Sequence, residues 1–127
     1  FPTPVPGYSE KVFFHTLAGE DRTFIALLNT DIEGGTSPGG GPLGIVMRFS
    51  KKELPQLTEW KMPCQGFYVA GLEPGTVQPL GRGTLRERGE LPMLDGQASY
   101  PITITFDVID SLEEMDVIRE EADSAIR

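Results

Sequence analysis

The carboxylate of Glu73 ends an apolar run, Phe67 to Leu72, immediately before a Pro74-Gly75 dipeptide. A group so placed projects from a rigid support at a sheet rim, where partial desolvation suits a carboxylate to proton transfer. The competing reading is an exposed strand-end glutamate that accepts turn hydrogen bonds. Trp60 and Lys61 offer a flat apolar indole face and an ammonium that can donate hydrogen bonds to a ligand. Neighbours in a strand point oppositely, so only one of the two lines a common pocket, and a core Trp beside a solvated Lys is the alternative. Tyr68 and Gln65 can add hydrogen bonds at the mouth of such a pocket. His15, the single histidine, shares a strand face with Phe13 and Leu17. It reads either as a structural residue with satisfied nitrogens or as an acid. Arg82, Arg86 and Arg88 fall on one face of an extended segment, where they grip an anionic ligand or form solvated ion pairs with Glu87 and Glu90.

The elements that must carry these groups read mostly as strand. Lys11 to Leu17 and Arg22 to Asn29 are rich in aromatic and β-branched residues, and the turn at Gly19-Glu20-Asp21 between them predicts an antiparallel hairpin. Residues 31–42 hold five glycines and two prolines with almost nothing apolar, which predicts a mobile loop. No Lys-Ser or Lys-Thr follows the glycines, so this is not a phosphate-cradling loop. Leu43 to Ser50 predicts a strand with Met47 and Phe49 on one face and Val46 and Arg48 on the other. Thr58 to Met62 and Gly66 to Glu73 are extended, the latter stopping at Pro74-Gly75, and 81–89 reads as an exposed or edge strand. Asp95-Gly96 marks a turn. Tyr100 to Asp110 alternates with Ile102, Ile104, Phe106 and Val108 on one side, which predicts that this side is buried. Ser111 with Glu114 forms a capping box, and Leu112, Met115, Ile118, Ala122 and Ala125 recur at helical spacing opposite an acidic side. The expected architecture is a mostly β, antiparallel β-sandwich over residues 1–110 followed by an amphipathic helix over 111–127.

Composition narrows the chemistry. The chain has 127 residues, the size of one domain, and 11 basic against 19 acidic side chains give a formal net charge of -8. Such a surface repels phosphate backbones, which argues against nucleic acid as a partner. No apolar run approaches the roughly 18 residues of a membrane helix, so no membrane partner is expected. The lone Cys64 and lone His15 exclude an intrachain disulfide, a cysteine-based zinc cluster and a multi-histidine metal site. No metal or cofactor is expected, and the unpaired cysteine fits a cytoplasmic origin. Three prolines in the first six residues, with no initiator Met, suggest the interior of a longer polypeptide or a cleavage product.

The segment from Arg48 to Glu90 resembles the C-terminal half of the galactose-mutarotase-like superfamily, in a branch related to aldose-1-epimerases. The similar blocks are Leu54-Pro55, Glu59-Trp60-Lys61-Met62, Tyr68-Val69, Gly71-Leu72-Glu73-Pro74-Gly75, Gly81-Arg82 and Arg86-Glu87-Arg88-Gly89, with Glu10 to His15 upstream. The resemblance spans about residues 5 to 110. It implies an antiparallel supersandwich whose N-terminal half is not part of this sequence, and a small-molecule sugar as ligand. It also implies that Glu73 matches the glutamate that acts as general base in aldose-1-epimerases, in which the acidic histidine belongs to the N-terminal half. His15 is then a substitute acid, and Trp60, Lys61, Tyr68, Arg82 and Arg86 are the candidate substrate-binding residues.

Three functions follow as expectations. One is an aldose 1-epimerase that interconverts sugar anomers by acid/base chemistry. Another is a carbohydrate-binding module without catalysis. The last is a structural half-domain whose exposed sheet face and strand edges favour a homodimer or pairing with the missing half.

Overall fold

A computed structural model describes residues 1–32 and 40–125. The described residues form six strands and two helices: β1 (Lys11–His15), β2 (Arg22–Ile32), β3 (Gly41–Ser50), β4 (Gln56–Cys64), β5 (Phe67–Gly75), α1 (Arg82–Glu87), β6 (Ile104–Ile109) and α2 (Leu112–Ala125). They make two antiparallel three-stranded sheets, ordered β1-β4-β5 and β2-β3-β6. The expected class, mostly antiparallel β with a C-terminal helix, is what the chain adopts. The chain divides into two compact units, Phe1–Leu17 with Lys52–Ile102 and Ala18–Lys51 with Thr103–Arg127.

In the first unit β4 is the central strand. Its register pairs Val12 with Trp60 and Phe14 with Thr58 on one side, and Trp60 with Gly71 and Thr58 with Glu73 on the other. Pro74 is tolerated within β5, against the expected stop, because β5 is an edge strand and a missing N–H on an outer edge costs no ladder bond. The opening segment is tied to the sheet at Val5, whose N–H donates to the Pro63 carbonyl at 3.0 Å and whose carbonyl accepts from Gln65 N–H at 3.1 Å. Tyr100 donates its hydroxyl to the carbonyl of Glu53 at 2.7 Å and pins the extended run after α1. The expected turn at Asp95-Gly96 is present, closed by the Ala98 N–H on the Asp95 carbonyl at 3.0 Å.

The second unit packs α2 on the β2-β3-β6 sheet. Val46, Ile109, Met115 and Ile118 form its buried centre, with Phe24, Ala26 and Leu28 against them. The capping box is made: Glu114 N–H donates to Ser111 Oγ at 3.2 Å, and Ser111 Oγ donates to Glu114 Oε2 at 3.0 Å. Arg48 fastens the helix to the sheet. Its Nη1 and Nη2 donate to the two oxygens of Glu121 at 2.7 and 2.8 Å, and its Nε donates to Asp107 at 3.2 Å. The guanidinium also lies over the Phe24 ring, 4.9 Å from its centroid. These hydrogen bonds lower the Glu121 pKa from its ordinary carboxylate value and raise that of Arg48.

Four expectations are corrected here. The hairpin of Lys11–Leu17 with Arg22–Asn29 does not form: β1 pairs with β4, β2 pairs with β3, and the chain passes from one unit to the other between the two runs. The segment 81–89 is a helical turn, α1, rather than a strand. Leu85 is its buried anchor, and Gly89, at φ +69°, closes it. The Gly89 and Glu90 N–H groups bond back to the carbonyls of Arg86 and Leu85 at 3.1 and 2.8 Å, a Schellman motif. On β6 the buried face is the opposite of the one expected. Ile109 is buried while Phe106 and Val108 are 56% and 69% exposed, because α2 packs on the Ile109 side. The loop expected over 31–42 is strand at both ends, with Ile32 paired to Gly41, and 33–39 lie outside the described residues. Among the described residues no helix is long and apolar enough to cross a membrane.

Candidate functional site

Strand alternation sorts the expected site residues of the first unit onto two faces of one sheet. Glu73, Gly71 and Trp60 share a face with Thr58 and Phe14. His15, Lys61 and Tyr68 occupy the other, with Phe13, Leu57 and Glu59. The structure therefore brings Glu73 and Trp60 together and sets His15, Lys61 and Tyr68 apart from them. Arg82 and Arg86 ride on α1, exposed and one helical turn apart, so the extended face expected to group them with Arg88 does not exist.

The first face has a glycine at its centre. Gly71 lies directly across from Trp60, and the Glu73 side chain bends back over it. A Cβ built at Gly71 would stand 2.6 Å from Glu73 Oε1 and 3.5 Å from Trp60 Cβ. The glycine thus leaves room for the Glu73 carboxylate to lie over the strand beside the base of the indole. Glu73 itself is exposed, outside any desolvated rim, and Trp60 is half-buried. The indole Nε1–H donates to Glu10 Oε2 at 2.6 Å, and the Phe67 ring meets the indole edge-on at 6.4 Å and 60°. A carboxylate and an aromatic ring on one face can together take a small polyhydroxylated ring: apolar C–H surface stacks on the indole while hydroxyls donate to Glu73.

The second face carries a closed ionic cluster. Glu59, with a side chain only 10% exposed, accepts from His15 Nε2 at 2.9 Å and from Lys61 Nζ at 3.0 Å. The Lys61 ammonium is flanked by the rings of Phe1 and Phe13, 4.4 and 5.2 Å from their centroids. Tyr68 donates its hydroxyl to the Pro2 carbonyl at 2.6 Å. Each of these residues thus bonds within the chain, a contact that helps hold the sheet. No group of His, Cys, Asp and Glu among the described residues could hold a metal ion.

Three residues of these two faces were not among the candidates. Gly71 had a signal, since a glycine inside an apolar strand pattern marks a close backbone approach. Glu59 also had one, because it stands two residues from Lys61 on a strand and so on the same face. Glu10 had none, since its contact crosses from the residue before β1 to the central strand. In the second unit an open cleft of about 530 Å³ lies between β6 and α2, lined by Arg48, Phe106, Asp107, Val108, Glu114 and Val117 among others. It contains none of the candidate residues.

No curated protein and no solved structure matches the chain. Residues 1–108 match the model of the family described as a domain of unknown function, DUF4432, and the chain belongs to that family.

Proposed function

We propose that this chain is a carbohydrate-handling domain of the mutarotase-like class, and that the β1-β4-β5 face with Trp60, Gly71 and Glu73 receives an aldose in its ring form. The observation that supports the reading is the convergence at Gly71, where the Glu73 carboxylate lies over the strand beside Trp60. On this reading Glu73 takes the proton of the anomeric hydroxyl while the ring oxygen gains a proton from water. The C1–O5 bond breaks, the C1–C2 bond turns, and reclosure on the other face returns both protons. The sugar is neither oxidised nor reduced, so the reaction inherently requires no cofactor.

Saturation-transfer NMR with a panel of aldoses, run beside an anomer-exchange assay, tests this. The parent chain is expected to bind at least one aldose, and Trp60→Ala to bind it about tenfold more weakly. Glu73→Gln is expected to bind within about threefold but to lose an acceleration on the order of a hundredfold. Failure of every aldose to receive saturation removes the reading. Equal exchange by Glu73→Gln and the parent removes the catalytic assignment alone.

A second reading is a sugar-binding module without turnover. It draws on the placement of His15, the single histidine, on the face opposite Glu73, bonded to Glu59. Binding with anomer exchange at the solvent rate is its signature.

A further inference from the structure

We infer that Glu10 is a positioning residue of the sugar face, holding the Trp60 indole in a fixed orientation by accepting its N–H. The inference rests on the reading of that face as a sugar site. An indole N–H on a sheet surface needs an acceptor, and the ladder has already engaged the backbone carbonyls around Trp60. Glu10 supplies one from the residue just before β1. Lys11 is paired with Lys61, so Glu10 continues the strand on the same side as Val12, the direct partner of Trp60. The 2.6 Å separation is short for a bond to a carboxylate. From the other flank, Phe67 of β5 meets the ring edge-on. The indole is braced from both flanks, by a polar contact from the residue before β1 and an aromatic one from β5.

The consequence for binding is preorganisation. A free indole on a sheet samples several rotamers, and a sugar that stacks on it must select one. A ring already held by Glu10 and Phe67 presents its face without that cost. Glu10 acts only through Trp60.

Trp60 is the single tryptophan, so one indole N–H cross-peak in a ¹H–¹⁵N spectrum reports on it alone. Glu10→Ala is expected to move that peak upfield and to weaken aldose binding about fivefold. Glu10→Gln keeps an acceptor oxygen and is expected to restore affinity to within about twofold of the parent. Glu10 is exposed and precedes the strand, so both variants keep the fold, which the remaining amide peaks verify. An indole peak that stays in place in Glu10→Ala overturns the inference, since the bond is then absent in solution. A displaced peak with unchanged affinity overturns the positioning role while the sugar site stands. A parent chain that binds no aldose removes the site and, with it, the role of Glu10.

Discussion

Gly71 concentrates the functional argument in one missing side chain. The atom nearest to a Cβ at this position is the far end of the flexible Glu73 side chain, which can swing away at little cost. Gly71→Ala is therefore expected to leave stability within about 0.5 kcal/mol of the parent, the methyl group being tolerated in a strand. On the proposed sugar reading, the same change is expected to displace the carboxylate from over the strand and to weaken aldose binding. Urea denaturation and a sugar titration on the same sample check the two halves, and a stable variant with parental affinity contradicts the proposed role of the glycine. Glu59 is the residue-scale contrast. Its carboxylate is nearly buried and takes bonds from His15 and Lys61, so the one histidine that could have served as an acid is engaged in holding the sheet.

At the scale of elements, the short helix α1 shows how a local signal can be outweighed in reading. Charged and small residues alternate through 81–89, which suits an exposed strand, yet Leu85 needs burial and Gly89 supplies a left-handed C-terminal cap. Arg86-Glu87-Arg88-Gly89 was the helix-stop signal within the same nine residues. Gly89→Ala places a Cβ where φ is +69° and is expected to cost about 1 kcal/mol. Thermal or urea unfolding measures it, and an unchanged midpoint would mean that the cap contributes nothing. α2 was legible for the opposite reason: Ser111, Glu114, Met115 and Ile118 all lie within one short run, so capping and apolar spacing agree locally.

For the molecule as a whole, 19 acidic against 11 basic side chains make the low-pH limb of stability informative. Arg48 holds Glu121 below its ordinary value, chiefly by the paired hydrogen bonds, with burial opposing. The unfolded state then binds the proton more readily than the folded state. The contribution is fully present above the unfolded value and is lost as pH falls through the folded one. Both side chains are substantially exposed, so the effect amounts to less than about 1 kcal/mol. Glu121→Gln is expected to remove that part of the slope when stability is measured by urea between about pH 3 and 7. A slope identical to the parent's would show that the clamp on α2 carries no linkage.

Most strands and the terminal helix were legible in the sequence, because aromatic and β-branched runs, a capping box and helical spacing act over a few residues. What only the tertiary structure decided was partnership. The run at Lys11–His15 pairs with β4, far along the chain, and not with the run that follows it. The alternation in β6 was legible, yet the choice of buried face depended on where α2 packed. The sorting of the candidate site followed the same logic. Types and spacing nominated Glu73, Trp60, Lys61, Tyr68 and His15, but the register of β1 and β5 on β4 set the first two on one face and the rest on the other. A period of two records that faces alternate, whereas which face meets which neighbour depends on contacts between distant residues.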